Sequence, residues 1–447
     1  MKMKTVVLVA TALALSAASY VIRAATDGPT AAPGGALSGL SMAPRQGDPK
    51  ELARVIRATE LAVHAHPDAL QLGLLSRLYL DRARLTSDLA SYQQAEAAAR
   101  ESLRLGPGDA ETRARLASIR FALHDFIGAR RLARQMLAAI PGDPAATAVL
   151  GDTSLEIGDY ATAFDAYGRL AAIAPGTAAL DARLTRTEFL RGDIAGARVR
   201  SEDAMREAFA EGSFGASLAW YLTQRGQLEL DTGHYDQAAS FAEAAVADAP
   251  DYPVALALVA RARADQGRIT DAIAIWKRAI AIVPQPDYLS ALGDLYALQG
   301  DSALAEQQYA TVGVIAQLAR ASGLAYNRLV VLFEADHGRD VAEALRLAKG
   351  ELGSRKDVYG WDAYGWALYA NGRYGEARDA LTRAMALGTF DARLFYHAGM
   401  IAAALGDRSD ARTMLDRALT ISPSFDPLQA RRARAALSAL GPAEAGR

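Results

Sequence analysis

No cysteine occurs anywhere in the 447 residues, which excludes disulfides, a lipid carried on an N-terminal cysteine and any thiolate metal site. Lysine is nearly as scarce: Lys2, Lys4, Lys50, Lys277, Lys349 and Lys356 are the whole set, so the positive charge is carried by arginine. Net charge is low as well, formally −2 with an isoelectric point near 6.3. That balance argues against a surface for polyanions, and nucleic acid is not an expected partner. The chain has no Gly-x4-Gly-Lys-Ser/Thr phosphate loop and no Gly-x-Ser-x-Gly nucleophile elbow. Its histidines, His64, His66, His124, His234, His337 and His397, are scattered; the two nearest, His64 and His66, would point in different directions on a helix, which suits a metal poorly. Carboxylates are many, but no spacing selects an acid–base pair. The residues therefore nominate no catalytic group, no metal and no cofactor. Runs of alternating β-branched residues are missing too, whereas hydrophobic residues make up 51% of the chain and alanine recurs at helical spacing, so the expected class is all-α.

What is present is a period. Pro107, Pro141 and Pro175 are 34 residues apart, as are Pro250 and Pro284, and Thr389 stands in for a proline 34 before Pro423. A fixed vocabulary precedes these marks: Gly151, Gly158-Asp159-Tyr160 and Ala163 before Pro175, and Gly226, Gly233-His234-Tyr235 and Ala238 before Pro250. Before Thr389 the same offsets hold Gly365, Gly372-Arg373-Tyr374 and Ala377, and before Pro423 they hold Gly399, Gly406-Asp407-Arg408 and Ala411. Small residues such as Gly365 and Ala377 belong where two antiparallel helices cross closely. The Gly-Arg-Tyr turn ends a first helix, because glycine takes the left-handed conformation at little cost, and proline or its substitute stops the second. Helices of about 12 to 14 residues are too short to persist alone in water, so each depends on its neighbours for burial.

The block Trp361-x2-Tyr364-Gly365, followed by Tyr374, Ala377, Leu381, Ala384 and Thr389, resembles the tetratricopeptide repeat (TPR) family, departing at the terminal proline. The resemblance implies a right-handed superhelical α-solenoid of about ten helix-turn-helix repeats over roughly residues 69–425. Their starts are expected near Ala69, Ala110, Pro144, Ala178, Ala219, Pro253, Pro286, Ala325, Val358 and Ala392. The Ala69, Ala178 and Ala325 units lack some signature residues.

Flanking segments read differently. Basic Met1-Lys2-Met3-Lys4 precedes the uncharged stretch Thr5–Ile22, in the form of a secretion signal within residues 1–25, cleaved near residue 18 or 24 or retained as an anchor in the inner membrane. Either outcome places the repeats outside the cytoplasm, periplasmic or extracellular, with the N-terminal segment as the sole membrane contact. Residues 26–49 are rich in Pro, Gly, Ala and Ser and read as a mobile linker. A helix over 50–66 is expected to cover the first face of a solenoid spanning 50–440. Asp426-Pro427 is expected to open a capping helix over 426–440 that meets the last repeat through Leu428 and Leu437.

In the TPR family the first helices line a concave face whose second, fifth, ninth and twelfth positions meet extended peptides or partner helices. Carried over, these are Tyr326 and Phe333 in the eighth unit, Tyr359, Asp362, Trp366 and Tyr369 in the ninth, and Arg393, Tyr396 and Met400 in the tenth. Aromatic residues and methionine are enriched at binding hot spots, whereas Trp361, Tyr364 and Phe395 fall on packing positions. The basic clamp with which some relatives hold a C-terminal carboxylate is missing, its positions being Ala148 with Asp152, Ala257 with Arg261, and Asp362 with Trp366. Insertions around Thr86–Ser91, Glu207–Gly215 and Thr311–Gly323 mark further protruding surface. The expectation is a non-catalytic scaffold of the cell envelope that binds a partner protein or peptide in its groove. The alternatives are an accessory subunit of an envelope polysaccharide secretion or synthesis machine, which exported repeat proteins of this kind often resemble, and an enzyme of unrecognised type.

Overall fold

Short amphipathic segments closed by glycine and opened by aspartate dictate a chain of helical hairpins, and the computed structural model contains them. It describes residues 49–86, 89–321 and 328–441; the signal-like segment, the linker up to residue 48, and Ala325 and Tyr326 lie outside the described residues. Twenty-two helices and no strand occur among those described. They are α1 (Pro49–Ala65), α2 (Ala69–Thr86), α3 (Leu89–Leu105), α4 (Ala110–Ala122), α5 (Phe126–Ala139), α6 (Pro144–Ile157), α7 (Tyr160–Ile173), α8 (Ala178–Leu190), α9 (Ile194–Ala210), α10 (Ala216–Asp231) and α11 (Tyr235–Asp248). There follow α12 (Pro253–Asp265), α13 (Ile269–Ile282), α14 (Pro286–Gln299), α15 (Ser302–Ala321), α16 (Arg328–His337), α17 (Val341–Glu351), α18 (Val358–Ala370), α19 (Tyr374–Ala384), α20 (Ala392–Ala404), α21 (Arg408–Ile421) and α22 (Gln429–Ala439).

The turn motif explains the hairpin. At Gly158-Asp159-Tyr160 the glycine closes α6 at φ 85°, and the Asp159 carboxylate accepts the backbone N–H of Thr162 to open α7. Aspartate repeats this cap at Asp109, Asp125, Asp143, Asp340, Asp357, Asp391 and Asp407. Within a hairpin, a Cβ on Gly365 of α18 would lie 2.1 Å from Leu381 Cδ2 of α19 and 3.3 Å from the Ala377 carbonyl, so any larger residue would force the buried leucine to shift. Two helix starts differ from expectation. The fifth hairpin opens at Ala216 rather than Ala219. The C-terminal helix opens at Gln429 rather than Asp426, because the Asp426 side chain is spent capping the N–H groups of Leu428 and Gln429. No helix among the described residues is long and apolar enough to cross a membrane.

The chain divides into two compact units. One holds residues up to Thr187 with Val199–Gln224 and Ala245–Tyr252; the other holds Glu188–Arg198, Arg225–Ala244 and everything from Pro253. The first unit centres on buried Tyr92, Phe126, Tyr167 and Leu170. Inside it Asp152 is held by Nε and Nη2 of Arg183, at 2.9 and 2.8 Å, and by the Tyr167 hydroxyl at 2.9 Å. A clamp position is thus consumed by a buried, bidentate ion pair.

The second unit contains two hairpin tips that precede the rest of it in sequence, and both are tied to its C-terminal half. At the α8–α9 tip, Leu190 O accepts the hydroxyl of buried Thr389 at 2.7 Å across 199 positions. At the α10–α11 tip, the Tyr235 hydroxyl lies 2.9 Å from Ser422 Oγ and accepts the backbone N–H of Ser424 at 2.7 Å. The tip glycines are pressed against foreign backbone. A Cβ on Gly192 (φ 77°) would sit 2.5 Å from Gly388 O, and one on Gly233 (φ 79°) 2.6 Å from Ile421 O. Gly372 takes the same conformation (φ 72°) with nothing within 4 Å. The substitution of proline by threonine at position 389 therefore has a cause: its hydroxyl is a donor in this closure.

Gly192→Ala and Gly233→Ala are each expected to destabilise the protein by about 2–5 kcal/mol, combining roughly 1–2 for a left-handed L-residue with about 1–3 for the clash. Gly372→Ala should cost only about 1–2 kcal/mol. Urea denaturation of the three variants measures the difference, and equal losses would show that the tips are not pressed home.

Candidate functional site

The eight described side chains expected to line a groove all lie in the second unit, but four of them are covered. Phe333, Asp362, Trp366 and Tyr396 are buried, with Trp366 and Tyr396 at 3% and 1% exposure. Trp366 lies flat between Tyr369, at 4.5 Å, and His397, at 4.0 Å, and its indole N–H donates to Asp336 Oδ1 at 2.8 Å. Tyr396 packs on Trp366 and Phe425. Asp362 accepts from His397 Nδ1 at 2.7 Å, and Phe333 packs on Tyr309 and His337. Tyr359, Tyr369, Arg393 and Met400 are half-buried, and the Tyr359 hydroxyl donates to Asp391 at 3.0 Å. Tyr326 lies outside the described residues.

The reason for this correction is α22. Its Ala433, Ala436 and Leu437, with Leu440 just beyond, join Trp366, Tyr396, Leu415 and Ala418 in one apolar cluster. Gln429 Nε2 donates to Asp336 Oδ1 at 2.7 Å, and Arg432 donates to the Asp336 carbonyl at 2.9 Å. Arg408 and Arg412 hold the carbonyls of Leu440 and Gly441. The chain's own last helix therefore fills the surface on which a partner was expected at Trp366. Conversely, the packing aromatics Trp361, Tyr364 and Phe395 are only half-buried, with the guanidinium of Arg383 4.6 Å over Trp361 and that of Arg417 5.9 Å from Phe395.

What remains open is charged. On successive first helices of the second unit lie Gln227 and Asp231 of α10, Arg261 and Asp265 of α12, Asp294 of α14 and Asp336 of α16; Asp391, Arg393 and Asp426 belong to the turns and helix start beyond. Asp231, Asp265, Asp336, Arg393 and Asp426 have protein on all sides yet keep part of their surface open to solvent. They interact electrostatically with one another through Arg393. Gln227 Nε2 donates to Asp231 at 2.6 Å and its Oε1 accepts from Arg261 at 2.9 Å. Among the described residues neither the Asp265 carboxylate nor the Arg393 guanidinium makes a hydrogen bond or an ion pair.

Burial and mutual repulsion raise these acids. Burial, reinforced by Asp391 and opposed by Arg261, brings Asp231 to about 6. Burial holds Asp265 well above the usual carboxylate range and raises Asp336 and Asp426 as well. Burial works against the Arg393 charge, but Asp426, Asp391, Asp336 and Asp362 outweigh it and raise its pKa. The sequence did carry a signal for this arrangement: Gln227 and Arg261, like Asp231 and Asp265, are 34 apart, so polar side chains recur on the inner face at the repeat period.

A second polar node lies alongside. Asp294 Oδ1 accepts from the Tyr309 hydroxyl at 2.6 Å and from His337 Nε2 at 2.8 Å, while His337 Nδ1 lies 2.7 Å from the Phe333 carbonyl. Both partners of the ring are acceptors, so His337 carries two protons and is an imidazolium. Burial opposes that charge, and the bond to Asp294 outweighs it, so His337 titrates above its ordinary range.

The fold defines the class: stacked helical hairpins whose first helices form an inner face. Two family profiles described as tetratricopeptide repeats match residues 229–295 and 363–424. The chain is a tetratricopeptide repeat protein. No curated protein matches its sequence. Solved structures similar to it include PilW, a type IV pilus biogenesis factor (16% identity, 49% of this chain and 94% of that one, TM-score 0.38). Others are the human IFIT1 dimer with PPP-AAAA (13%, 84% and 95%, 0.44) and a tetratricopeptide repeat protein from Parabacteroides merdae (17%, 57% and 95%, 0.32).

Two measurements test this site. Trp366→Ala should cost about 3–5 kcal/mol, the range for a buried aromatic; a loss under about 1 kcal/mol in urea unfolding would mean that the ring is exposed. The raised His337 contributes stability that is complete below its unfolded value of about 6.5 and is lost as pH rises through the folded one. The unfolding midpoint should therefore fall between pH 6 and pH 9, and His337→Gln should flatten that fall.

Proposed function

We propose that this protein is a non-catalytic scaffold of the cell envelope that receives a segment of a partner protein on the concave side of its second unit. Tetratricopeptide repeats generally mediate protein–protein interaction. The observation that carries the reading is the pair of half-open charged groups, Asp265 and Arg393, whose side chains make no hydrogen bond or contact ion pair among the described residues. Burying charge without a partner is costly, and structural ion pairs such as Arg183–Asp152 show how this chain satisfies charges that only hold the fold. The site is therefore displaced from the aromatic positions toward Arg261, Asp265 and Arg393. Export rests on the basic residues Lys2 and Lys4 ahead of the uncharged stretch Thr5–Ile22.

Alkaline phosphatase fused after residue 60, active only outside the cytoplasm, should be active in a bacterial host and lose activity on deletion of residues 2–25. A photo-crosslinking amino acid placed at Arg261 of the full chain should join a partner protein in envelope fractions, whereas one placed at exposed Arg54 should not. Equal labelling from both positions would refute the concave side as the binding face.

A further inference from the structure

The concave side of the second unit has a chemical bias that specifies what it holds. Among the described residues the carboxylates of Asp231, Asp265, Asp336, Asp362, Asp391 and Asp426 outnumber the positive groups near them, which are Arg261 and Arg393, with Arg432 on the Asp336 carbonyl and His337 and His397 beside Asp336. Hydrogen-bonding capacity is skewed in the same sense. His397 is wholly buried; its Nδ1 lies 2.7 Å from the Asp362 carboxylate, and its Nε2 has no hydrogen-bond partner among the described residues. Gln429, 3% exposed, directs its amide nitrogen to Asp336 while its Oε1, equally buried, finds no donor among the described residues. The Asp265 carboxylate likewise accepts no hydrogen bond among the described residues. His397 and Arg393 are four residues apart on α20 and so share a face, and both influence Asp336. The unpartnered Gln429 oxygen and His397 Nε2 therefore belong to the same neighbourhood as the acids.

A site with surplus negative charge and surplus acceptors fits a cation that brings several N–H donors. Guanidinium and ammonium side chains do so. Arg393 supplies the complement, a guanidinium that makes no hydrogen bond among the described residues and is suited to the backbone carbonyls that flank such a side chain in a peptide. We propose that the second unit binds a basic segment of a protein partner, its arginine or lysine side chain seated among Asp231, Asp265 and Asp336 with a backbone carbonyl on Arg393. This rests on the scaffold reading above and names the chemistry of its partner. The elevated carboxylate pKa values agree, since an entering cation is the missing counter-charge.

The probe is the peptide Gly-Arg-Gly-Arg-Gly, titrated calorimetrically into the full-length protein at low and physiological salt, beside Gly-Glu-Gly-Glu-Gly and spermidine. The arginine peptide should bind with one-to-one stoichiometry and the glutamate peptide should not. The double variant Asp231→Asn, Asp265→Asn should weaken binding by at least about tenfold, as truncating one partner of a desolvated charge pair does. Arg393→Gln should weaken the peptide but not spermidine, which has no carbonyl and is relieved of a neighbouring positive charge. Thermal unfolding of both variants checks that they fold; because the acids repel one another, neutralising two should raise the midpoint at pH 8 rather than lower it. Binding of the glutamate peptide, undiminished binding to the double variant, or no binding of the arginine peptide would each overturn the proposal. Spermidine binding as tightly as the peptide would overturn its protein-segment part. If the crosslinked partner presents no basic residue at Arg261, this inference fails and the scaffold stands; if the peptide binds but no partner crosslinks, the scaffold reading fails instead.

Discussion

Two backbone-to-backbone abutments, Gly192 on Gly388 and Gly233 on Ile421, hold together everything that distinguishes the second unit. In a stack of hairpins each repeat touches only its neighbours and no contact spans many repeats. Here the hydroxyls of Thr389 and Tyr235 join segments 199 and 187 positions apart. Closing so long a loop costs entropy that grows only slowly with length, so a few well-made contacts suffice to offset it. The consequence is chemical. The α10 carboxylate of Asp231 is brought within electrostatic range of Asp391 and Arg393, which an open stack would leave far apart. The raised acids are thus a product of the closure.

The same unit treats charge in two ways. Where charge serves the fold it is neutralised at contact distance, as at Arg328–Asp357 with bonds of 3.1 and 2.5 Å, or at His337–Asp294. Along the concave side the acids stand together around too few arginines, a costly arrangement at low effective dielectric. The cost shows in carboxyl groups held above their ordinary range.

Much of the fold was legible because its determinants are local. Gly158-Asp159-Tyr160 contains the C-terminal stop of one helix and the N-cap of the next, and Gly365 with Ala377 specifies a close crossing, all within one repeat's length. The candidate site was less so. Trp366 reads as a groove residue at its position in the repeat, yet it is buried by Ala433 and Leu437 some seventy residues later, and no periodicity reports which face a terminal helix chooses. Trp361 and Phe395 sit on packing positions but are finished by Arg383 and Arg417, whose rotamers a sequence does not disclose. The Asp231–Asp265 and Gln227–Arg261 pairs were visible at the 34-residue spacing; what made them a cluster was long-range closure. Thr389 was legible as an exception, and the structure supplies its partner, Leu190.

Closure also constrains how such a protein changes over time. Arrays of helical hairpins usually lengthen or shorten by whole repeats, because duplication or loss leaves every neighbouring contact intact. Between the α8–α9 tip and Thr389 that freedom is gone. One hairpin more or fewer would carry Gly388 away from Gly192 and Ser422 away from Tyr235 together, so the tally of repeats in this stretch is fixed like the number of staves in a barrel.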